Sequence, residues 1–402
     1  MGRFLFVVPP LEGHTNPTVA VGRELMARGH AVGWTGYPEV TPALLPPGAA
    51  YIPVAAQAPR AVVDAMAVRS LAPPSGAAGF RSFWEEFVLP IGRDMVPGTT
   101  LAVHAFAPDV VVADQHALAG AAVALRAGLM WATSATSSAD LVDPLAGIPK
   151  VGEWLRRRMH GLLVEAGVDE AAAARVDPRF SPHLVLGFTT NELVGAAEPF
   201  PCHWALVGPA IGVRPDGTPF PWDWLAGDRP VVLVTLGTVN WRAGARFFAV
   251  AAEALGLLDV QVVMAAPPEV VPDPPPNVLV VPRVPQVAVL RRVDLVICHG
   301  GHNTVCEALA AGVPLVVAAV RDDQPFVADQ VVRAGAGVRV RFGRATVADL
   351  RAAVGTVLGD PGYREAAASL RTAFARAGGA PVAADRLAAL LAPAGAGKGP
   401  PP

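Results

Sequence analysis

The 402-residue chain has little of what marks several large protein classes. It holds three cysteines, Cys202, Cys298 and Cys306, too few for a disulfide framework, and a reducing compartment suits them. Charged residues make up 16 % and the net charge is −2, so no strong basic balance points to nucleic acid or to an anionic membrane. Lysine is nearly missing: Lys150 and Lys398 stand alone, and neither sits in a Walker-type phosphate loop. No run approaches the ~20 apolar residues of a membrane-spanning helix. The start, "MGRFLFVVPPLEGH", has too short an apolar stretch for a signal peptide. The expectation is a soluble, cytoplasmic protein.

What is present is apolar material in a regular order. Hydrophobic residues make up 52 %, enough for buried cores in two or three domains. Phe4–Val8 reads as a strand buried on both faces, followed by the loop "LEGHTNP". Asn16 is placed to cap a helix whose first residue is Pro17, and "AVGWTG" is the next strand. That β-α-β pattern recurs in "PDVVVADQHALAG", "RPVVLVTLGTV", "VQVVMAA", "NVLVVPRV", "DLVICHG" and "PLVVAAV". Strands alternating with helices predict an α/β, doubly wound architecture with parallel sheets. A Pro- and Gly-dense stretch divides it. The expected organisation is a Rossmann-like domain over 1–207, a linker over 208–228 and a second Rossmann-like domain over 229–378. A closing helix over 379–393 and a disordered tail over 394–402 complete it. Residues 55–98 read as irregular helices and loops over the first half.

"CHGGHNTVCEAL", Cys298 to Leu309, concentrates Cys and His and invites a zinc reading. Neighbouring Cys298 and His299 end a strand and point to opposite faces, which leaves His302 and Cys306, too few ligands for a metal. Both cysteines suit core packing. The stretch also makes a phosphate cradle. A strand runs into Gly300–Gly301 and then into a helix, whose first N–H groups and partial positive charge favour an anion. Asn303 and Thr304 are natural caps there. A strand–Gly-Gly–helix is not specific by itself.

The longer stretch "HGGHNTVCEALAAGVPLVVAAVRDDQPFVADQ", together with "GHTNP" at Gly13–Pro17, resembles the UDP-glycosyltransferase superfamily. These are inverting enzymes of the GT-B fold, and the resemblance is to the bacterial branch that glycosylates antibiotics and other natural products. It implies two Rossmann-like domains facing across a cleft, with the closing helix packing back on the first. It implies a general base at His14 supported by Asp114. It implies donor-diphosphate contacts from Thr238, His299 and the backbone of Gly301–Thr304, which includes His302, Asn303 and Thr304. Glu307 falls on the ribose-binding position, and Asp323 and Gln324 on the sugar-binding pair. "VPRVPQ" falls on the base-binding loop, with Arg283 where the family has Trp, Val284 against the base edge, and Gln286 completing the pattern. His302 occupies a variable position with no assigned role.

The nucleotide sugar would be a co-substrate, with no metal and no other cofactor needed. UDP and dTDP remain open, as does a homodimer. Apolar candidates for a hydrophobic acceptor are Met66, Phe83, Trp84, Phe87, Trp131 and Met159, with His116 beside them. Two other readings remain: an acceptor-free nucleotide-sugar epimerase, and a non-catalytic homologue that activates a partner.

Overall fold

The computed structural model describes residues 1–71, 76–142, 145, 147–212, 218–225 and 227–391. The first sheet is built from β1 (Arg3–Val7), β2 (Ala31–Gly36), β3 (Ala50–Pro53), β4 (Val110–Asp114), β5 (Met130–Ala135), β6 (Val185–Gly187) and β7 (Trp204–Leu206). The second is built from β8 (Val231–Thr235), β9 (Gln261–Ala265), β10 (Val278–Val281), β11 (Leu295–Cys298), β12 (Leu315–Val317) and β13 (Gly337–Arg339). The strand orders are β3-β2-β1-β4-β5-β6-β7 and β10-β9-β8-β11-β12-β13, and every pairing is parallel.

Both sheets are covered on both faces, which explains the unbroken apolar runs. In β1, Leu5 and Val7 enter one core with Val111 and Ala113, while Phe4 and Phe6 enter the opposite core with Val110 and Val112. In β11, Val296 and Cys298 face one layer, and Leu295 and Ile297 the other. The period of two along a strand makes that division.

After the second sheet the chain returns to the first half. The helix Gly379–Ala389 buries Ala383, Ala384 and Leu387 beside Phe4, Phe6 and Trp34. Of the expected linker, Leu225 is buried against the second half, with Phe220 and Trp224 beside it. The tail, 394–402, lies outside the described residues. No described helix is long and apolar enough to cross a membrane.

Two local expectations are corrected. The first helix runs over Glu12–Ala27, so Asn16 does not cap it and Pro17 lies inside it. His14 therefore stands in a helical first turn and not in a loop. The helix starts at Leu11 without a side-chain cap. Residues 60–106 are more regular than expected: helices Arg60–Leu71 and Gly76–Phe83, a π-helical turn at Trp84–Val88, and the helix Leu89–Phe106. Such π-turns are frequent beside functional sites.

Candidate active site

Each sheet reverses its strand order at one place, and doubly wound sheets bind ligands beyond the strand ends there. The reversal lies between β1 and β4 in the first sheet and between β8 and β11 in the second. The segments that leave these four strands carry His14, His116, Thr238 and His299, which line one cavity of about 1690 Å³. That volume exceeds the ~300–1,000 Å³ of a pocket for one ligand, so two substrates can lie in it together.

On the wall of the first half, His14 Nδ1 lies 2.9 Å from both carboxylate oxygens of Asp114. Asp114, at the end of β4, is fully buried. Its Oδ1 also accepts from the His116 backbone N–H at 2.8 Å, and its Oδ2 from the Thr136 hydroxyl at 2.9 Å. Thr136 Oγ1 is also 2.7 Å from His14 Nδ1. An imidazole held through Nδ1–H keeps its Nε2 lone pair available as a base. His14, Asp114 and His116 each bring a donor atom within 4.8 Å of the others, close enough for a shared cation. The carboxylate's lone pairs already serve hydrogen bonds, so the group is a hydrogen-bonded network as it stands.

Beyond it, His116 Nε2 is 3.3 Å from Asp140, which also accepts from Gln115 and lies 3.4 Å from the Arg179 guanidinium. Burial works against a charged His116, but the bond to Asp140 and the charges of Asp140, Asp114 and Asp323 outweigh it and hold its imidazolium above the usual range. Burial likewise works against ionised Asp140, and His116, Arg179 and Gln115 reverse that and pull it down.

On the opposite wall, β11 ends at Cys298, and the helix His302–Ala310 begins after Gly300–Gly301. Gly300 takes φ +82°, a conformation that favours glycine. The His299 ring is wedged between glycines: a Cβ on Gly237 would come within 2.8 Å of it, and one on Gly301 within 2.4 Å. Burial pushes the His299 imidazolium down to about 4, opposed by the Thr235 backbone and helped by Arg321. The ring is neutral near pH 7, and its buried Nδ1 bonds to no described residue. Glu307, on the second turn of the helix, accepts from Gln286 Nε2 at 2.6 Å.

Asn303 and Thr304 do not cap that helix; Gly301 stands at the cap without a side-chain bond. Asn303 instead donates from Nδ2 to the Gly13 carbonyl at 2.5 Å. Gly13 is four residues before Pro17, which has no N–H to give, so the second half supplies the bond that proline removes from the first helix. Other bonds tie the walls together. Ser137 donates to Asp323 at 2.7 Å, Ser138 to Gln330 at 2.5 Å, and His302 Nε2 lies 3.2 Å from the Phe188 carbonyl. His302, which had no role in the sequence, is thus a bridge between halves; burial, opposed by the Phe188 carbonyl, pushes it down to about 4. Cys306 Sγ is 3.5 Å from His302 Nε2, and burial raises both Cys306 and Cys298, the latter to about 12. These are core thiols.

Thr238, Arg283, Val284, Gln286, His299, Gly301, His302, Asn303, Thr304, Glu307, Asp323 and Gln324 all line the cleft. Some are engaged unexpectedly. Gln324 Oε1 accepts from the N–H groups of Val320 and Arg321, and Arg283 is largely exposed, 3.7 Å from Glu12 across the cleft mouth. Burial, joined by the charge of Asp322, holds the Asp323 carboxyl up against its Ser137 bond and the two nearby histidines. Phe83, Trp84, Phe87 and His116 line the cleft on the side of the first half. Trp131 and Met159 do not: alternation along β5 and along the helix Pro149–Glu165 turns both into the core. The side chain of Met66 lies outside the described residues. Sequence reasoning missed Thr136, Ser137, Asp140 and Arg321. None has a motif, and each is identified by place alone; a buried Arg321 beside the "DDQ" signature was the nearest to a signal.

Residues 250–390 match the family described as "Erythromycin biosynthesis protein CIII-like, C-terminal domain". Over 405 residues the chain is 32 % identical to 4'-demethylrebeccamycin synthase of Lentzea aerocolonigenes, covering 93 % of this chain and 96 % of that one. It is 28 % identical to the NDP-glycosyltransferase YjiC of Bacillus licheniformis, covering 96 % and 97 %. The crystal structure of the kitacinnamycin glycotransferase superposes with a TM-score of 0.74 at 27 % identity, covering 97 % of this chain and 99 % of that one. The chain belongs to the bacterial natural-product glycosyltransferases of the GT-B fold.

Proposed function

We propose that the enzyme moves a hexose from a UDP- or dTDP-sugar to a hydroxyl of a hydrophobic natural-product acceptor, with inversion at the anomeric carbon. The acceptor lies against Phe83, Trp84 and Phe87, and its hydroxyl points at His14. As the oxygen attacks, its proton passes to His14 Nε2, the new C–O bond forms, and the anomeric C–O bond to phosphate breaks with its electron pair leaving on the diphosphate. Asp114 stabilises the imidazolium that results. Negative charge grows on the leaving diphosphate, where the helix N-terminus at Gly301–Thr304, the neutral His299 and Thr238 act as fixed donors. Glu307, oriented by Gln286, takes the ribose hydroxyls, and Asp323 and Gln324 take the sugar. No metal enters this reading. The relative named an NDP-glycosyltransferase supports the donor class.

The observation that carries the proposal is His14 Nδ1 at 2.9 Å from both oxygens of buried Asp114, on a wall facing the phosphate cradle. His14→Ala should lower transfer by about 10²–10⁴-fold while the nucleotide still binds. Transfer at the wild-type rate by that variant would refute the base assignment.

A further inference from the structure

Asp323 and Gln324 both line the cleft, and each has one polar atom tied down within the protein. Gln324 Oε1 accepts from the backbone N–H groups of Val320 and Arg321, at 3.0 and 3.1 Å, and its Nε2 bonds to no described atom. Asp323 Oδ2 accepts from the Ser137 hydroxyl at 2.7 Å, and its Oδ1 bonds to no described atom. Neither Oδ1 nor Nε2 is sealed from solvent. Ser137 comes from the other half of the molecule: it follows β5 and stands 186 residues from Asp323 in the chain. It is buried. Its oxygen accepts from the Ala139 N–H at 3.3 Å, and its own N–H donates to Gln115 Oε1 at 3.4 Å. Those bonds hold the loop and leave the hydroxyl proton for Asp323.

We propose that Ser137 is a positioning residue for the donor sugar: reaching over from the first half, its hydroxyl turns the Asp323 carboxylate so that Oδ1 meets a sugar hydroxyl, and the sugar subsite is complete only when both halves contribute to it. This role rests on the reading of Asp323 and Gln324 as the sugar pair.

A carboxylate rotates over a broad, two-fold range about its last torsion. Pinning one oxygen leaves one acceptor in one direction. Beside it, Gln324 has only N–H groups left to give, because its oxygen is taken. The pair thus sets an acceptor next to a donor, and neighbouring sugar hydroxyls can serve one each. Burial and the charge of Asp322 raise the Asp323 carboxyl, and the Ser137 bond works against them, as do the charges of His116 and His14. Ser137 therefore also favours the ionised carboxylate, the stronger acceptor.

A second serine supplies a comparison. Ser138 donates across the same boundary to Gln330, which is not one of the residues lining the cleft. Both serines join the halves, and Ser137 alone of the two ends on a sugar contact.

The test is calorimetric titration of UDP-glucose and UDP, with dTDP-glucose and dTDP alongside, into the wild type, Ser137→Ala, Ser137→Thr, Ser138→Ala and Asp323→Ala. Ser137→Ala should weaken the diphosphoglucose about 5- to 20-fold and leave the bare diphosphate within about twofold. Ser137→Thr, which keeps the hydroxyl, should recover most of that loss. Ser138→Ala should leave both ligands within about twofold. Added to Asp323→Ala, Ser137→Ala should cost nothing further. If Ser137→Ala fails to fold, Ser137→Cys, close in volume and a weak donor, replaces it and should show the same selective loss. Unchanged diphosphoglucose binding in the folded variant, equal losses for diphosphoglucose and diphosphate, the same losses in Ser138→Ala, or no binding of either diphosphoglucose to the wild type would overturn the proposal. Asp323→Ala separates the two readings: undiminished diphosphoglucose binding there would remove the sugar pair itself, whereas a loss there with none in Ser137→Ala would remove only the role of Ser137.

Discussion

The two walls of the cleft place buried histidines in opposite electrostatic settings. His116 lies among Asp114, Asp140 and Asp323, which, against its burial, push its pKa up from the ordinary histidine value. His299 and His302 are pushed down to about 4 by burial, with backbone carbonyls as their stabilising partners. In the proposed reading the first wall accepts a proton from a neutral hydroxyl, so carboxylates behind its histidines help, and the second receives a diphosphate, which a carboxylate beside the helix end would repel. The second wall therefore uses N–H dipoles, a helix end and a neutral ring. Glu307, an acid of the second wall, sits two turns along the helix and serves hydroxyl groups in the proposed reading.

The sharpest way to break this division is Asp114→Asn. The amide can reverse the hydrogen bond and leave His14 in the wrong tautomer, so transfer should drop about 10²–10⁴-fold while nucleotide affinity stays put. Equal losses in both would merge the walls into one functional unit. Next in size, Glu307→Ala should weaken nucleoside-diphosphate binding roughly 10- to 100-fold by calorimetry, with transfer at saturating donor much less affected.

Thermal unfolding against pH tests the charge states themselves. His299 and His302 are neutral in the fold down to about 4 but titrate near 6.5 once unfolded, so unfolding takes up protons between those values. Stability from these two is complete above about pH 6.5 and falls as pH drops toward 4, by about 2 kcal/mol per histidine at pH 5. His116 has the reverse sign: its contribution is complete below about 6.5 and is lost as pH rises through its raised folded value. His299→Phe should therefore flatten the acid side of the curve, and His116→Phe the alkaline side. The smallest effect should come from the bond that joins the walls. Asn303→Ala frees the Gly13 carbonyl, four residues before Pro17, and should lower Tm by about 1–2 °C, with little change in transfer.

The difference between the walls also explains what was legible in the sequence. The wall of the second half is contiguous: a strand, Gly-Gly and a helix within Leu295–Ala310 place His299 and Glu307 by local geometry. The wall of the first half is assembled across the chain. His14 meets Asp114 at a separation of 100 residues and Thr136 at 122, and no spacing rule connects them. Family resemblance named the first pair, while Thr136 and Asp140 had nothing to announce them. Alternating strands and helices identified the parallel α/β class, but short strands such as Val185–Gly187 and Gly337–Arg339 carry too few residues for a period. Pro17 misled for a physical reason. Proline favours a helix's first turn, and here the helix begins five residues earlier because Asn303 satisfies the carbonyl that proline orphans.

The most direct test of the division is calorimetric titration of a nucleoside diphosphate into the wild type, His14→Ala and His299→Phe, with transfer assayed on the same samples. The account predicts wild-type affinity and lost transfer for His14→Ala, and affinity weakened by about tenfold or more for His299→Phe. Weakened nucleotide binding in His14→Ala together with undiminished binding in His299→Phe would contradict it.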